Sequence, residues 1–189
     1  MLRPLRHKDF AADAPSVARA LIGATLLVDG VGGLIVEVEA YDEDDPASHC
    51  HPGRTPRNQA MFGPPGHDYV YLIYGLRWCV NFVCGPEGQG SGVLIRALQP
   101  THGLERMRER RGLDDERLLC AGPGRVGQAL GITKALYGLP LDQPPFKVLA
   151  PDRRQPIDVV CGPRIGIRRA VDTPWRFGLA GSRYLSRRF

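Results

Sequence analysis

The chain has 189 residues, of which 43% are hydrophobic and 24% charged, a composition typical of a globular protein with a substantial core. It contains no run of about 18 apolar residues, which argues against a membrane helix, and its N-terminal stretch lacks the apolar segment of a secretory signal. Five cysteines without CxxC spacing favour reduced thiols. We therefore expect one cytoplasmic domain over residues 1–189, and the net charge of +5 suggests a polyanionic partner.

The first predicted elements are a helix and a strand. The stretch "APSVARALIGATLLV" (residues 14–28) predicts a short helix with Ser16 as its N-cap. After a glycine-rich turn, "LIVEVEAY" (residues 34–41) predicts a strand. Strict alternation along that strand would place Glu37 and Glu39 on one face, together with Ile35 and Tyr41, and would bury the other face. The glutamate face is then either ordinary solvated surface or the wall of a reaction site.

A long polar loop and a hairpin follow. Residues 42–66 are rich in turn-forming residues, and loops of about two dozen residues inside a domain are usually functional or disordered. The next stretch, "HDYVYLIYGLRWCVNFVC", is β-prone on both sides of Tyr74-Gly75. This pattern predicts two strands joined by a tight turn.

The remaining segments predict a mixture of strands and helices. "GVLIRAL" predicts a strand, "THGLERMRERRG" a helix that ends at Gly112, and "RVGQALGI" the start of another helix. "FKVLAP", "DVVCGPRIGI" and "RFGLAGS" predict short strands that complete a sheet. Strands joined by hairpins and turns, with interspersed helices, indicate an α+β fold with a mainly antiparallel sheet.

Two motifs suggest other functions. His49, Cys50 and His51 could supply zinc ligands, but adjacent ligands suit one small ion poorly and no second pair has zinc-ribbon spacing. "GPGRVG" (residues 122–127) matches GxGxxG, yet a dinucleotide site needs a hydrophobic strand before it within a βαβ unit. We reject that interpretation and retain two others, a helix N-terminus that holds a phosphate and a simple turn before a helix.

Aromatic residues along the predicted hairpin suggest a different chemistry. Tyr69 and Tyr71 share a face and Tyr74 lies at the turn, a pattern more typical of core than of function. In a basic protein, however, an aromatic at a hairpin tip can also enter a base stack. A lone glutamate on a strand is usually solvated, but Glu39 precedes Tyr41 and this aromatic hairpin. A carboxylate near stacked aromatics can bind a flat base and activate water beside its sugar.

Longer motifs support the base-binding hypothesis. The chain contains, in this order, "ARALIGATLLV", "GLIVEVEAY", "HCHPGRTPRNQAMFGPPG", "YVYLIYGLRWCVNFV", "GVLIRALQP" and "CAGPGRVGQALGI". Their order and spacing resemble the alkyladenine (3-methyladenine) DNA glycosylase family, that of the mammalian enzyme and its bacterial relatives. The resemblance extends from about residue 18 to residue 182. It implies a curved antiparallel sheet flanked by helices, with a protruding hairpin that inserts into DNA.

The resemblance also implies roles for individual residues at the reaction centre. Glu39 matches the general base that activates the attacking water, and Glu37 matches a neighbour that is not catalytic. Arg96 matches an arginine whose main chain helps to hold that water. The pocket walls, between which the flipped base stacks, match three further residues: Tyr41, His49 and Tyr71.

Further positions would contact the base or the duplex. Asn81 matches a polar residue that discriminates among purine edges, and Tyr74 matches the aromatic that inserts into the duplex. In the loop "RTPRN", the side chains of Arg54, Arg57 and Asn58 are either solvated or contacts to the DNA backbone.

The resemblance implies a monofunctional DNA glycosylase that needs no metal and no cofactor. Its expected substrates are the alkylated purines 3-methyladenine and 7-methylguanine in double-stranded DNA, and its expected process is base excision repair near the nucleoid. Hypoxanthine is a candidate further substrate, and as a neutral base it would leave more slowly. We expect a monomer. Two alternatives stay open at this point, a catalytically inactive lesion-binding protein on the same scaffold and a zinc-dependent hydrolase built on residues 49–51.

Overall fold

One antiparallel sheet organises the chain in the computed structural model, which describes residues 2–152, 154 and 156–189. Within these residues the strands are β1 (Thr25–Val28), β2 (Val31–Tyr41), β3 (Asp68–Ile73), β4 (Arg77–Val83), β5 (Gly92–His102), β6 (Phe146–Leu149), β7 (Val159–Gly162) and β8 (Arg176–Leu179). The α-helices are α1 (Ala14–Leu21), α2 (Leu104–Arg111), α3 (Glu116–Leu119) and α4 (Pro123–Leu130). Short 3₁₀ helices lie at His7–Phe10, Gln59–Phe62 and Lys134–Leu136. The α+β class predicted from the sequence is confirmed.

The strand β2 lies at the centre of the sheet. The main path runs β3-β4-β5-β2-β1-β6, and β8 pairs with β2 beyond the end of β1, with β7 outside it. All of these pairings are antiparallel, and the sheet curls into a half-barrel. As a result β2 has a neighbour on both edges along nearly its whole length.

The first helix is shorter than the sequence predicted. It ends at Leu21, and Thr25–Val28 form the fully buried strand β1 between β2 and β6. The N-cap is Asp13, which accepts hydrogen bonds from the backbone N–H (2.9 Å) and hydroxyl (2.8 Å) of Ser16, so the prediction of Ser16 as the cap was wrong. The helix ends because Gly23 has a φ of +82° and reverses the chain.

The β2–β5 pairing has three register shifts, and two of them are β-bulges that change which side chains share a face around the glutamates. The register passes from Ile35 opposite Leu98 to Glu37 opposite Ala97, so Val36 is an extra residue in β2. One step further on, the register skips Arg96, which is the extra residue in β5. Two bulges of opposite sense restore the register while locally twisting both strands.

Because of the bulges, the side chains around the glutamates do not alternate as the sequence predicted. Ile35 belongs to the main core with Val38 and Ala40, whereas Val36 packs in a separate cluster with Ala97. Strict alternation had placed Ile35 with the glutamates and Val36 opposite them, and both assignments were wrong. The extra residue inverts the alternation at that point, because the side-chain period of a strand is two residues.

The predicted hairpin is confirmed. β3 and β4 pair from Asp68 to Ile73, and the backbone N–H of Leu76 donates to the carbonyl of Ile73 at 3.0 Å across the turn. Tyr74 and Gly75 have φ values of 50° and 69°, as in tight turns of the primed type. Tyr74 is 86% exposed, so its ring projects into solvent.

The predicted helices at the C-terminal side of β5 are also confirmed. α2 buries Met107 and ends at Gly112, whose φ is 64°. In "GPGRVG" Gly122 caps α4 and Pro123 is its first residue, so the motif starts a helix. α4 packs against β4 so closely that a Cβ at Gly127 would lie 1.9 Å from the carbonyl oxygen of Trp78. Across the described ranges no helix has the length and apolar character needed to cross a bilayer.

Candidate active site

Glu37 and Glu39 are both completely buried, so their face of β2 is not solvated surface. A buried carboxylate is costly unless hydrogen bonds and opposite charges compensate its lost hydration. Arg96 lies between the two carboxylates and binds both of them. The β5 bulge at Arg96 is what brings this side chain to the glutamate face.

Glu39 accepts hydrogen bonds from three donors on three segments of the chain. The hydroxyl of Tyr41 donates to Oε2 at 2.8 Å, and Arg96 Nη1 donates to the same oxygen at 3.3 Å. The backbone N–H of Ile165 donates to Oε1 at 2.7 Å. The pKa of Tyr41 lies well above its usual range because the ring is buried and the Glu39 charge is adjacent. Tyr41 therefore remains a hydrogen-bond donor to the carboxylate.

Glu37 is held by a second set of donors and does not border the cavity described below. Its Oε1 accepts from Arg96 Nε (3.2 Å), Arg176 Nε (2.8 Å) and the Ser186 hydroxyl (2.8 Å). Its Oε2 accepts from the backbone N–H of Ser186 at 2.5 Å. Burial alone would lower the pKa of Arg96, but Glu39 and Glu37 outweigh it and raise that pKa. Arg96 is therefore a permanent cation between the two carboxylates.

A cavity of about 520 Å³ lies on the Glu39 side of the pair. It brings together eight of the ten residues proposed from the sequence: Glu39, Tyr41, His49, Arg57, Tyr71, Tyr74, Asn81 and Arg96. The other two, Arg54 and Asn58, do not line it. Glu39 is among the residues that line the cavity, although its side chain is completely buried.

The aromatic wall of the cavity is arranged differently from the expected sandwich. Tyr69 and Tyr71 stack at 5.7 Å between ring centroids, with 24° between their planes. His49 meets Tyr71 edge-to-face at 4.6 Å and 79°. A flat ring stacked between two others needs about 7 Å between the outer rings, because each contact takes about 3.5 Å. In this conformation a base therefore cannot stack between His49 and Tyr71.

The titration properties of this wall follow from burial. Burial raises the pKa of Tyr69 to about 12 and that of Tyr71 still further. Burial and the positive charge of Arg57 lower the pKa of His49, so its imidazole is neutral at pH 7. The Nδ1 atom of His49 lies 3.3 Å from the Tyr69 hydroxyl. The wall thus presents uncharged rings to the cavity.

Asn81 is 5% exposed and lies opposite Tyr69 in the β3–β4 ladder. Its side-chain amide donates to the Tyr69 carbonyl at 3.2 Å, which fixes the amide orientation because a carbonyl can only accept. The side-chain oxygen of Asn81 is thereby left as an acceptor at the cavity.

Exposed arginines surround the mouth of the cavity. Arg57, Arg168 and Arg169 line it, and all three are exposed. Arg54 is exposed on the same loop as Arg57. Among the residues that the structure describes, no carboxylate forms a salt bridge with any of these four. The rim is therefore a surface of uncompensated positive charge.

Asn58 was predicted as a candidate contact to the DNA backbone, but its side chain is buried. It is 3% exposed, and its amide donates to the carbonyls of His49 (2.8 Å) and Gly53 (3.0 Å). Its oxygen accepts from the backbone N–H of Thr55 at 2.6 Å. All of these bonds lie within the loop, because a buried amide must satisfy its polar atoms locally. Asn58 therefore shapes the loop that carries His49.

Sequence reasoning missed the segment from Arg164 to Arg169. "DVVCGPRIGI" was predicted to be one strand, but β7 ends at Gly162 and the chain then turns toward Glu39. Arg164 is buried, pairs with Asp45 and donates to the Ala40 carbonyl at 2.9 Å. Its guanidinium lies 4.7 Å from the Tyr41 ring centroid. A buried arginine in an otherwise irregular segment leaves no periodic signal in the sequence.

The side chains at residues 49–51 do not converge on one point. His49 faces the aromatic cavity, Cys50 is buried in a cluster with Met61 and Phe62, and His51 is exposed. Within the described part of the chain, no three His, Cys, Asp or Glu side chains form a metal-binding group. The zinc-hydrolase alternative therefore lacks its donor set.

Comparisons with known proteins give a consistent result. The chain matches the family model described as methylpurine-DNA glycosylase (MPG) over residues 8–183. A protein of Nitrosospira multiformis is 64% identical over 181 residues, which cover 96% of this chain and 93% of that protein. A protein of Rhodopseudomonas palustris is 63% identical over 97% of this chain and 90% of its own length. A protein of Rhizobium meliloti is 58% identical over 95% of both chains. All three carry the name "Putative 3-methyladenine DNA glycosylase".

Proposed function

The chain belongs to the methylpurine-DNA glycosylase family, and on that premise we propose that it excises alkylated purines from double-stranded DNA. It is a DNA glycosylase, a hydrolase of N-glycosyl bonds, and DNA is its partner. The proposed substrates are 3-methyladenine and 7-methylguanine, with hypoxanthine as a slower one. The enzyme acts as a monomer in base excision repair.

One observation carries this proposal. Glu39 lines a cavity of about 520 Å³ together with three exposed arginines and four tyrosines, Tyr41, Tyr69, Tyr71 and Tyr74. Cavities of a few hundred Å³ accommodate small ring systems. A base must leave the helix to reach such a site, since enzymes that act on bases extrude them into pockets. The site therefore suits a flipped purine whose sugar approaches Glu39.

Glu39 supplies the general base of the reaction. A carboxylate has about four acceptor positions, and three on Glu39 are occupied by Tyr41, Ile165 and Arg96. The fourth accepts an O–H of the attacking water. The water oxygen bonds to the anomeric carbon, its proton passes to Glu39, and the electrons of the N-glycosidic bond leave with the base. The carboxylate also stabilises the oxocarbenium-like transition state.

The aromatic wall recognises the damaged base. An N3- or N7-alkylated purine carries positive charge and stacks favourably on the electron-rich face of Tyr71 or Tyr41. The ring centroids of His49 and Tyr71 are only 4.6 Å apart in the structure, which leaves no room for a base between them. His49 therefore moves away from Tyr71 when the base enters. The free oxygen of Asn81 accepts a hydrogen bond from a purine edge. Because the cationic base is already a good leaving group, little acid catalysis is needed.

The hairpin and the rim hold the duplex. Tyr74 enters the base stack and fills the space of the extruded nucleotide, which offsets part of the cost of unstacking. Four exposed arginines bind phosphates of the backbone: Arg54, Arg57, Arg168 and Arg169. Cationic side chains that form no salt bridge within the described residues are suited to this role because phosphate contacts release bound counterions.

A panel of duplexes, each with one defined lesion, tests the proposal under single-turnover conditions. We expect release of alkylated purines at a rate that a chelator does not change, and slower release of hypoxanthine. Lesion binding without release would instead indicate an inactive lesion-binding protein. Loss of activity with chelator, and its recovery with Zn²⁺, would contradict the proposed mechanism.

A further inference from the structure

Residues 184–189 lie beyond the stretch matched by the family model, contact Glu37 through Ser186 and are not among the residues that line the cavity. Tyr184 is 6% exposed and joins the cluster of Val36, the extra residue of β2, and Ala97, which is next to the extra residue of β5. Its hydroxyl donates to Glu116 at 2.6 Å, which fixes the start of the segment on α3. This segment (184–189) therefore covers the bulged part of β2 and β5.

Ser186 is the direct contact between this segment and Glu37. Its backbone N–H and its hydroxyl donate to the two carboxylate oxygens at 2.5 Å and 2.8 Å. A carboxylate held at both oxygens by one residue has a defined plane as well as a defined position. Hydrogen bonds to an ionised acceptor are also stronger than neutral ones.

Arg176 ties the rest of the segment to the same carboxylate. Its Nε donates to Glu37 at 2.8 Å, and its Nη2 donates to the carbonyls of Arg187 and Arg188. The Phe189 ring lies 3.9 Å from the Arg176 guanidinium carbon. The guanidinium is therefore surrounded by Glu37 and by backbone and ring atoms of the segment.

Two glycines provide the surface on which Phe189 packs. A Cβ at Gly178 in β8 would lie 2.3 Å from the Phe189 ring, and one at Gly162 in β7 would lie 3.1 Å from it. Both contacts are closer than real Cβ atoms normally make. An alanine at Gly178 would therefore displace the ring without changing any charged residue.

Arg96 transmits this arrangement to Glu39. All three of its guanidinium nitrogens have partners: Nε binds Glu37, Nη1 binds Glu39, and Nη2 binds the Ser186 hydroxyl at 3.4 Å. The buried group contains two carboxylates and two guanidiniums, so its formal charges balance. Two of the three guanidinium nitrogens of Arg96 thus bind Glu37 and Ser186, and only the third binds Glu39, the proposed general base.

We propose that Glu37, held by Ser186 and segment 184–189, is a positioning residue that orients Arg96 and, through it, the carboxylate of Glu39. This inference rests on the proposed function, because it assigns Glu39 the role of general base. Loss of Glu37 or of the Ser186 hydroxyl leaves Arg96 free to rotate toward Glu39. The acceptor position of Glu39 that serves the water is then misaligned.

The test compares single-turnover excision of an alkylated purine by Glu37→Gln, Ser186→Ala and Gly178→Ala with excision by wild type. The maximal rate should fall about tenfold or more in Glu37→Gln and several-fold in the other two, since bonds to charged groups are the stronger class. The enzyme concentration at half-maximal rate should stay within about twofold, because none of these residues lines the cavity. Ser186→Thr, which keeps the hydroxyl, should restore the rate.

Ser182→Ala is the matched control. Ser182 lies just before the segment, and its hydroxyl accepts from the Tyr184 backbone N–H without touching Glu37. Wild-type rates in folded Glu37→Gln and Ser186→Ala, or equal losses in Ser182→Ala, would overturn the proposal. If Glu37→Gln does not fold, the comparison of Ser186→Ala with Ser186→Thr tests the proposal. If the wild type releases no alkylated base, the proposed function fails, and this inference fails with it.

Discussion

The backbone N–H of Ile165 donates to Oε1 of Glu39 at 2.7 Å, across a separation of 126 residues. Arg164, immediately before it, is anchored by Asp45 and by the Ala40 carbonyl. The rim residues Arg168 and Arg169 follow a few positions later. One segment thus holds the Glu39 carboxylate at one end and carries two exposed arginines of the cavity lining at the other. The proposed general base and the proposed phosphate contacts therefore lie on one continuous stretch of chain.

The turn at the hairpin tip places Tyr74 in a backbone conformation that does not favour an aromatic residue. A φ of 50° is unfavourable for an aromatic residue, whereas asparagine before glycine is preferred in turns of this kind. We expect Tyr74→Asn to raise the free energy of unfolding by about 0.5–1 kcal/mol. The same variant should weaken binding to lesion-containing DNA about tenfold or more, measured by titration of a labelled duplex. Unchanged lesion affinity would contradict the wedge role.

Substitutions at the neighbouring residues Asn58 and Arg57 should affect different properties, protein stability at Asn58 and the salt dependence of DNA binding at Arg57. Asn58→Ala removes buried hydrogen bonds to the carbonyls of His49 and Gly53 and should destabilise the protein by about 2 kcal/mol. It should leave the salt dependence of DNA binding unchanged. Arg57→Gln should have little effect on stability, but should reduce the slope of log K against log salt by about 1. A changed slope in Asn58→Ala would show that Asn58 does contact the backbone.

Asp68 gives the protein a stability that depends on pH. Burial raises the pKa of its carboxyl to about 7, and its Oδ2 has no hydrogen-bond partner in the described structure. Because this pKa is raised on folding, the stabilisation is complete below about pH 4 and is lost as the pH rises through about 7. Asp68→Asn keeps the acceptor for the Leu139 N–H, whose bond is 2.7 Å long, and cannot ionise.

Denaturation of both proteins at several pH values measures this effect. The stability of wild type relative to Asp68→Asn should fall by up to about 1.4 kcal/mol per pH unit between about pH 4 and pH 7, and should then level off. Groups common to both proteins cancel in the difference. A difference that does not change with pH would contradict the assignment.

The sequence predicted the turns and helix ends that local residue preferences determine. The hairpin at Tyr74-Gly75, the end of α2 at Gly112 and the presence of a helix after Gly122 all depend on local backbone preferences, although that helix begins at Pro123, two residues before the predicted start. It did not predict the paired bulges at Val36 and Arg96, because a bulge is fixed by the register with another strand. For the same reason strict alternation placed Ile35 on the wrong face.

The candidate site was predictable only in part. The resemblance to known glycosylases pointed to Glu39 and the aromatic positions as candidates, and the structure brings them into one cavity. The donors of Ile165 and Ser186 belong to irregular segments whose approach depends on tertiary folding. The sequence did not predict that Asn58 is buried, because a polar residue in a polar loop gives no sequence signal of burial. Contacts made by the backbone have no signature in the side-chain pattern.

The role of Glu39 as the general base is the central claim, and one measurement tests it most directly. Single-turnover release of 3-methyladenine from alkylated duplex DNA is compared among wild type, Glu39→Gln and Glu109→Gln, the same change at an exposed glutamate of α2. We expect Glu39→Gln to bind the lesion but to release the base about 10² to 10⁴ times more slowly, and Glu109→Gln to match wild type. Release by folded Glu39→Gln at the wild-type rate would contradict the mechanism.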